Sequence, residues 1–401
     1  MQLPNLTDKK KLLIAGGGYA DIPLIRAAQD LGFYVITSGN RPDELGHKAS
    51  DEYRAADFSD PEAMLALARD LKIDAICPCC NDFSAISSAY VAEQLGLPGY
   101  DSYETTRLIH HKDSYREFAV ENGIPTPRAS GFDDVETALS SIDDFRFPLI
   151  IKPVDLTGGK GITKIGNRQE ARGALEKAFT ISKSGRVVVE EFIAGSRHGF
   201  SAFIANGKVE FHFTDNEYYY LNQYLVSAAS TPSTVPDSAV QNLVDQSEKI
   251  SELLSLETGI FHVQFILQNN EPVIIEICRR PPGDLYIKLV EHATGIDFPC
   301  WIVKAFCGSD CAGLKHKEVD GYYLRHCVMA AQSGILDSVV IDPSIAGNII
   351  DSMMWWKTGD PVENHLVAKF GIVFLRFDSL DELLSKSGAM QNLIHANVKA
   401  A

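Results

Sequence analysis

Short apolar runs alternate with amphipathic segments over the first hundred residues of the chain. The pattern predicts strands at KLLIA, FYVIT and IDAIC, with a helix after each of them. Asp60 before Pro61 is a helix N-cap followed by proline at the first helical position, which starts a helix that runs to Leu71. This βαβαβα order predicts a parallel sheet with right-handed crossovers.

The pattern changes after about residue 112. A helix ends at Gly123, the buried strand FPLIIKPV leads into the polar loop DLTGGKGITKIG, and the helix RQEARGALEKAF follows. Antiparallel structure is predicted next, because Asn206-Gly207 joins two alternating strands and FHVQFIL pairs with PVIIEIC. The last eighty residues mix short strands with the helix SLDELLSKSG, which predicts a small α+β cap.

Length and charge limit the partners that the protein can have. The 401 residues allow two or three domains, and 37 basic against 53 acidic side chains give a formal charge of −16, which opposes nucleic-acid binding. No apolar run approaches the ~18 residues of a membrane span, and no signal peptide is visible. The eight cysteines show no paired CxxC spacing. We expect a cytoplasmic protein with reduced thiols and without nucleic-acid or membrane partners.

Two common nucleotide motifs do not fit this chain. After Gly16-Gly17-Gly18, Asp21 stands where the dinucleotide fingerprint requires its third glycine, and no acid for a ribose ends the second strand. NAD binding is therefore disfavoured, and the glycines are interpreted as a tight turn that borders a ligand cleft. Gly159-Lys160 and Gly207-Lys208 are not followed by Ser or Thr, which excludes a P-loop.

The most informative segment is PLIIKPVDLTGGKGI. Lys152 lies in an apolar strand, where an ammonium group is costly unless it is paired. The glycine loop that follows can fold its N–H groups over a polyphosphate, because glycine has no Cβ to prevent close approach. A flexible surface turn is the alternative for a glycine run alone, and the buried lysine favours the phosphate interpretation.

Two later segments add further candidate residues. The strand RVVVEEFI ends in Glu190 and Glu191, which can offer a carboxylate and backbone groups to an adenine edge, although such acids alone are more often solvated. The predicted hairpin farther along carries Glu276 and Arg280. Together these segments place a phosphate loop, an acidic strand end and a charged hairpin in that order.

In this order of motifs the chain resembles the ATP-grasp superfamily over nearly its whole length. The similar segments are YETTRLIHHKDSYREFAVENGIPTP, IIKPVDLTGGKGI, VVVEEFIAG and EICRRPPGD. The resemblance implies a mixed α/β and α+β multidomain protein. Its parts would be a Rossmann-like domain over 1–108, an ATP-grasp lid subdomain over 109–187, an ATP-grasp C-terminal subdomain over 188–312 and the small C-terminal cap over 313–401.

The resemblance also implies which residues bind ATP and Mg²⁺, for which Mn²⁺ is the alternative ion. The expected nucleotide-binding residues are Lys112, Lys152, Gly158, Gly159, Lys160, Gly161, Glu190, Glu191, Phe192 and Ile193. Glu276 would be a magnesium ligand, and Arg280 with Lys152 would stabilise the transferring phosphate. The glycine segment would act as a lid that closes on ATP and excludes water.

The chain departs from the family pattern at the second metal position. Gln264 stands where the family usually has Asp or Glu, and Cys278 stands where it has Asn. A Gln oxygen can still meet Mg²⁺, whereas a thiol is a poor ligand for it. Two outcomes stay open: one ion held by Glu276 and the phosphates, or a protein that binds nucleotide without catalysis.

The metal assignment also depends on the strand register. Gln264 and Glu276 share the cleft face only if they lie opposite each other, which places residue 270 at the centre of the loop. We therefore predict a connection of three or five residues, because a two-residue turn at Asn269-Asn270 would put Gln264 opposite Ile275.

Several other residues have both a functional and a structural interpretation. Gly17, Arg279, Arg197 and His198 are candidate substrate contacts, with solvated or packing roles as the alternatives. Cys77, Cys79 and Cys80 are better explained by packing than by a metal, since a fourth ligand is missing. His110 and His111 are interpreted as a solvated helix start, and Tyr218 to Tyr220 as packing or as a cleft wall.

The function implied by the resemblance is an ATP-dependent ligase that forms a carbon–nitrogen bond. A carboxylate would react with ATP to give an acyl phosphate and ADP, and an amine would then displace phosphate. Its partners would be a small carboxylate and a small amine, and a homodimer is an open alternative to the monomer. The rival interpretation is a regulatory protein of the same fold that binds nucleotide only.

Overall fold

The computed structural model describes residues 9–156 and 159–399. The N-terminal part is a four-stranded parallel sheet in the order β3-β2-β1-β4 with helices packed against it. Its elements are β1 (Lys11–Ala15), α1 (Ile22–Asp30), β2 (Tyr34–Gly39), β3 (Glu52–Ala55), α2 (Pro61–Leu71), β4 (Ala75–Pro78) and α3 (Asp82–Leu95). The Asp60 carboxylate caps α2 by accepting hydrogen bonds from two backbone N–H groups, as predicted. The pattern missed β3, because this edge strand is only four residues long and half exposed.

A small antiparallel sheet follows two short helices. The helices are α4 (Tyr103–His110) and α5 (Lys112–Glu121), and Gly123 after them has the left-handed φ of 61°. The sheet has the order β5-β8-β6-β7. Its strands are β5 (Ala129–Phe132), β6 (Leu149–Pro153), β7 (Thr163–Ile165) and β8 (Val187–Glu191), and the helices of this region are α6 (Val135–Ser141) and α7 (Ala171–Ile181). Ile151, Leu175 and Val189 are fully buried in the core between this sheet and its helices.

The largest sheet has eight antiparallel strands in the order β13-β12-β9-β10-β11-β14-β18-β16. Its first part contains β9 (Ser196–Ala205), β10 (Lys208–Tyr218), β11 (Ala228–Thr231), α8 (Asp237–Leu254), β12 (Gly259–Gln268) and β13 (Glu271–Cys278), followed by α9 (Tyr286–Thr294) and α10 (Phe298–Phe306). Asn206 and Gly207, with φ of 52° and 78°, form the two-residue turn predicted between β9 and β10.

The last eighty residues do not form a separate cap, which differs from the prediction. Three of their strands extend the eight-stranded sheet, and the others form a small sheet in the order β17-β15-β19. The elements are β14 (Tyr322–Val328), β15 (Gly334–Ile341), α11 (Pro343–Ala346), β16 (Ile349–Met354), β17 (Pro361–Val362), β18 (Gly371–Phe377), α12 (Leu380–Ser387), α13 (Met390–Leu393) and β19 (Ile394–Lys399). Strand β14 thus brings C-terminal residues beside the central strands. The division at residues 108, 187 and 312 stays a prediction.

The hairpin between β12 and β13 has a two-residue turn. Gln268 pairs with Glu271, and the turn residues Asn269 and Asn270 have positive φ of 52° and 64°. Asparagine is among the few residues with side chains that adopt this conformation readily. The predicted loop of three or five residues is therefore wrong.

A β-bulge farther along the same hairpin restores the predicted pairing. Gln264 lies opposite Glu276, and Ile275 is the extra residue of β13. The Ile275 carbonyl accepts a hydrogen bond from Nη2 of Arg116 on α5, which holds the bulge in place. The opposition of Gln264 and Glu276 is thus confirmed, although the odd residue lies in the strand and not in the turn.

Candidate functional site

A cleft of about 300 Å³ is lined by residues of both antiparallel sheets. Strands β6 and β8 contribute Lys152 and Glu190, and β12 and β13 contribute Gln264 and Glu276. The N-terminal part adds Asp82, and β14 adds Arg325. This volume lies at the lower end of the range of small-molecule sites, and the convergence of charged groups in one concave space is typical of such sites.

Four residues form a buried charged group that we call the lysine cluster: Lys112, Arg116, Lys152 and Glu190. Nζ of Lys152 lies 2.5 Å from Oε1 of Glu190, and Nη2 of Arg116 lies 3.3 Å from the same oxygen. Burial lowers the pKa of Lys152 despite the neighbouring carboxylate. Burial alone would raise the pKa of Glu190, but Arg116 and Lys152 outweigh it and lower that pKa. The cluster is a prearranged centre of positive charge.

Lys112 connects this cluster to the charged hairpin. It is the first residue of α5, and its Nζ donates a hydrogen bond to the Leu156 carbonyl at 3.1 Å. The same atom lies 3.5 Å from Oε1 of Glu276, whose side chain is 29% exposed. Glu276 therefore keeps a partly solvent-accessible carboxylate beside Lys112, as a ligand for a cation bound to phosphate requires.

Arg280 lies in the cleft and is held by the N-terminal part of the chain. Its Nε donates to Oδ1 of Asp82 at 2.7 Å, and its Nη1 donates to the Pro281 carbonyl. Nδ1 of His110 lies 3.0 Å from the same Asp82 oxygen, while Nε2 of His110 accepts from the backbone N–H of Arg279. Burial would raise the pKa of Asp82, but Arg280 and His110 hold it well below its usual range.

His110 is therefore not part of a solvated helix start, and that interpretation is wrong. The residue is 5% exposed, and because its Nε2 accepts a hydrogen bond, its Nδ1 carries the proton that it donates to Asp82. It is a buried connection between α4 and the N-terminus of α3.

Gln264 has a partner that the sequence did not indicate. Its Nε2 donates to Oε1 of Glu217 at 2.9 Å, and the Tyr219 hydroxyl donates to the other oxygen of that carboxylate. With the amide in this orientation, only Oε1 of Gln264 is left for a metal ion. Cys278 also lines the cleft, and burial raises the pKa of its thiol to about 12, so it stays protonated.

The predicted adenine segment lies along the cleft. The Glu191 carboxylate accepts from the backbone N–H and Nε of Arg146, and the N–H of Phe192 donates to the Pro148 carbonyl. Glu191, Phe192 and Ile193 all line the cleft, whereas the Glu190 carboxylate is engaged by the cations of the lysine cluster.

The glycine loop lies beside the cleft. Gly159 has a φ of 73°, and a Cβ at this position would lie 2.6 Å from the Tyr224 carbonyl oxygen. Gly161 has a φ of 74° and packs against Ile181, and Lys160 is exposed. Glycine is required at both positions by conformation and by contact. Gly158 lies outside the residues that the structure describes.

Three predicted substrate contacts do not line the cleft. The Arg279 guanidinium donates to Asp101 at 2.8 and 3.4 Å and to the carbonyls of Ile260 and Glu257, so none of it faces a substrate. His198 is 1% exposed and bonded to Ser196 Oγ and the Asp215 carbonyl. Gly17 packs against the ring of His47. These three are corrected to structural roles.

Arg197 and Tyr219 line the cleft, as the open alternatives allowed. The Arg197 guanidinium lies 4.4 Å from the centre of the Tyr219 ring and donates to the Gln223 carbonyl. This stacking and hydrogen bond fix both side chains as one wall.

The cysteines have packing roles. Cys77 and Cys79 are buried and Cys80 is half-buried, and all eight thiols are free. Among the described residues, no group of three or more His, Cys, Asp or Glu side chains is arranged to hold a metal ion. Within that part of the chain no helix has the length and apolar character to cross a membrane.

Sequence reasoning missed four residues of the cleft region: Arg116, Asp82, Glu217 and Arg325. Arg116 follows Lys112 by four residues on one helix face, and that spacing could have indicated it. Asp82 has no such local signal, because its partner Arg280 is 198 residues away in the chain. Glu217 and its partner Gln264 are likewise separated by 47 residues.

The residues of the cleft fit a nucleoside triphosphate with one divalent cation. Apolar side chains at Ile150, Phe265 and Ile266 can cover a base, and the lysine cluster supplies positive charge for a polyphosphate. Glu276 offers a partly exposed carboxylate 3.5 Å from Nζ of Lys112, and Gln264 lies opposite it on β12. A hard-oxygen set of this size leaves the remaining coordination positions of Mg²⁺ to phosphate and water.

Comparison with known proteins gives related matches. Residues 110–222 match the family model for the phosphoribosylglycinamide synthetase ATP-grasp (A) domain. The chain is 29% identical over 294 residues to the phosphoribosylamine–glycine ligase of Pyrococcus furiosus, covering 67% of this chain and 65% of that one. It is 24% identical over 278 residues to the formate-dependent phosphoribosylglycinamide formyltransferase of Rhodococcus jostii, covering 68% and 69%. The matched regions thus span about two thirds of these relatives.

A solved structure shows the same fold along nearly the whole chain. The L-amino acid ligase from Bacillus licheniformis superposes with a TM-score of 0.80 at 18% identity, covering 98% of this chain and 99% of that one. The agreement extends over the N-terminal parallel sheet, both antiparallel sheets and the C-terminal strands.

Proposed function

Because this chain belongs to the ATP-grasp superfamily, we propose that it is an ATP-dependent ligase that joins a carboxylate to an amine. The observation that carries the proposal is the convergence of Lys112, Lys152, Arg280 and Glu276 on one cleft. Its relatives include a phosphoribosylamine–glycine ligase and an L-amino acid ligase. ATP with Mg²⁺ is the cofactor pair that this family uses and that these residues fit.

ATP supplies the phosphoryl group that activates a carboxylate as an acyl phosphate, from which an amine then displaces phosphate. For this chemistry the chain needs no nucleophile of its own, since positioning and charge neutralisation are sufficient. Lys112 and Lys152 would hold the phosphates, and Glu276 with Oε1 of Gln264 would hold the divalent cation. Arg280, kept in place by Asp82, would neutralise the charge that develops on the transferring phosphate.

The adenine and the lid have separate roles in the proposal. Glu191, Phe192 and Ile193 would line the site of the base, and the loop around Gly159 would exclude water from the acyl phosphate. Lys160 and Gly161 belong to the same loop and would move with it. We further propose that the protein acts in the cytoplasm, and a homodimer stays an open alternative.

The test is ADP formation with pairs of substrates. The purified chain would be incubated with ATP, Mg²⁺ and a panel of carboxylates combined with a panel of amines, and ADP would be measured by a coupled assay. We expect ADP only when a suitable carboxylate and a suitable amine are both present. ADP that accumulates equally without either compound would contradict ligation.

A second candidate is a nucleotide-binding protein without ligase activity. Gln264 favours it, because an amide that donates to Glu217 stands where the family resemblance implies a second carboxylate for the metal. Tight ATP binding by calorimetry, with no turnover for any substrate pair, would support this candidate. Absence of ATP binding would contradict both.

A further inference from the structure

Two carboxylates of β10 lie beside the cleft and form no salt bridge within the described part of the chain. Asp215 and Glu217, which we call the acidic pair, are two residues apart on one strand and therefore share a face. Within the described residues, all of the side chains that donate to them are neutral: the hydroxyls of Tyr286 and Tyr219 and the amide of Gln264. Glu217 lines the cleft directly.

This arrangement is costly in the unliganded protein. Asp215 is fully buried, and its Oδ1 has no hydrogen-bond partner in the described part of the chain. Buried carboxylates ordinarily require a cation or several donors to offset the lost hydration. Arg325 and Arg197 act on the pair only from beyond salt-bridge distance. A carboxylate pair placed in this way in a ligand cleft is complementary to a positively charged ligand group.

A neighbouring acid shows how the same region pairs a carboxylate when no ligand is needed. Asp284 lies 2.5 Å from Nζ of Lys369 and 3.6 Å from Nη1 of Arg325, and it accepts from the Tyr19 hydroxyl at 2.6 Å. Its charge is satisfied within the protein. The acidic pair has no equivalent set of partners.

Arg325 provides a complementary group in the same cleft. Its side chain is 2% exposed, it lines the cleft, and its Nε has no hydrogen-bond partner among the described residues. Nη1 donates to the Asp284 carbonyl at 3.0 Å and contacts the Cys327 sulfur at 3.5 Å. A buried guanidinium with an unused donor is complementary to a carboxylate.

We propose that this part of the cleft binds an amino acid as a zwitterion, with Glu217 contacting its ammonium group and Arg325 contacting its carboxylate. This inference rests on the proposed function and names a substrate class for it. Asp215 lies two residues from Glu217 on the same face of β10, and Tyr219 and Gln264 hold the Glu217 carboxylate in position. The second acid that the metal site lacks is thus replaced by a group that serves the substrate.

The test is calorimetry of the full chain saturated with Mg²⁺ and AMP-PNP, an ATP analogue that resists hydrolysis. The probes are the twenty common L-amino acids, and each one that binds is compared with its N-acetyl and amide derivatives. We expect at least one amino acid to bind, with affinity falling at least a hundredfold on N-acetylation and at least tenfold on amidation. N-acetyl compounds that bind as well as the free amino acids would overturn the inference.

Glu217→Gln removes the charge and keeps the size of the side chain. It should weaken amino acid binding at least tenfold and leave AMP-PNP affinity within twofold, whereas the surface control Glu248→Gln should change neither. If Glu217→Gln fails to fold in a thermal melt, Tyr219→Phe takes its place, since it removes one donor to Glu217 and should weaken amino acid binding about threefold.

Three results would contradict the inference while the proposed function stands. They are unchanged amino acid affinity in the variant, no binding by any amino acid although AMP-PNP binds, and loss of one of two bound Mn²⁺ ions in Glu217→Gln. The last result would assign Glu217 to a second metal ion. Absence of heat with AMP-PNP itself would contradict the proposed function and, with it, this inference.

Discussion

The lysine cluster and the acidic pair are both buried beside one cleft, yet they treat charge in opposite ways. In the lysine cluster Glu190 is within 3.3 Å of both Lys152 and Arg116. In the acidic pair, the described side chains that donate hydrogen bonds to Asp215 and Glu217 are two hydroxyls and one amide. The first group is organised before any ligand arrives, and the second leaves its charge to be compensated.

The difference has a physical reason. A polyphosphate carries several negative charges, so a cluster with excess positive charge can bind it while one internal acid fixes the lysine geometry. A substrate ammonium carries one charge, and a carboxylate already paired with lysine would gain little by binding it. In this cleft an internal acid therefore fixes the cations that would bind phosphate, and the carboxylates that form no salt bridge among the described residues indicate where an ammonium group would be recognised.

Arg280→Ala tests the cationic groups of the cleft and should have the largest effect of the variants proposed. We expect kcat to fall about a thousandfold, or about 4 kcal/mol, because the charge that stabilises the transferring phosphate is lost. ATP affinity should change only a few-fold, since Lys112 and Lys152 remain. The measurement is steady-state ADP formation together with ATP titration by calorimetry.

Arg26→Ala is the matched control, because Arg26 is exposed and distant from the cleft. It should leave both kcat and ATP affinity unchanged. Full turnover by Arg280→Ala would remove this residue from the mechanism, and an equal loss of kcat and ATP affinity would make it a simple binding residue.

Lys152→Gln tests whether the lysine cluster binds the nucleotide. The variant keeps a hydrogen-bond donor for Glu190 but removes the charge, so we expect ATP binding to weaken about a hundredfold, or about 2.7 kcal/mol. Lys208→Gln is the control, because Lys208 pairs with Glu248 at 2.7 Å on the surface. Equal ATP affinity in the two variants would show that the cluster is structural only.

The sequence was sufficient for most of the element order, apart from the edge strand β3 and the placement of the C-terminal strands, and for the residues carried by local motifs. Lys152, Glu276 and Arg280 could be predicted because each lies in a short segment whose pattern is distinctive. The pairing of Gln264 with Glu276 was also predicted, but from a loop length of three or five residues that proved wrong. A bulge at Ile275 depends on Arg116, which is 159 residues away and has no signal in the hairpin itself.

The sequence did not distinguish the roles of residues that are adjacent in the chain. Arg279 and Arg280 are neighbours with the same chemistry, but only Arg280 lines the cleft, while Arg279 is bonded to Asp101. Of Arg197 and His198, only Arg197 lines the cleft, while His198 is bonded to Ser196 and Asp215. Which of two neighbours faces a cleft depends on packing partners elsewhere in the chain, and for Arg279 this partner is 178 residues away.

Asp215→Asn tests how the charge of the acidic pair affects the stability of the protein. Burial, followed by the charge of Glu217, raises the pKa of Asp215 from 3.8 to about 7. The folded state therefore keeps a proton that the unfolded chain releases, so the contribution of Asp215 to stability falls as pH rises from about 4 to 7 and stays low above that. We expect Asp215→Asn to raise the free energy of unfolding by about 2 kcal/mol at pH 8 and by much less at pH 4.

Denaturant unfolding at both pH values measures this effect, and Asp70→Asn is the control, because Asp70 is exposed. A gain that is equal at pH 4 and pH 8 would show that packing, and not charge, is responsible. A loss of stability at pH 8 would mean that the Asp215 carboxylate is already compensated within the protein.

The smallest expected effect concerns Gly159, which links the glycine loop to the segment after the acidic pair. Its φ of 73° and the 2.6 Å approach of a Cβ to the Tyr224 carbonyl oxygen mean that Gly159→Ala must displace the loop from this contact. Water should then reach the activated carboxylate, so ADP formed without amine should rise about fivefold, or about 1 kcal/mol, while kcat with both substrates changes less. Gly166→Ala is the matched control, because a Cβ there would meet no atom within 4 Å. If both variants leave amine-independent ADP formation unchanged, the loop does not exclude water, and the two charged groups of the cleft act without a common lid.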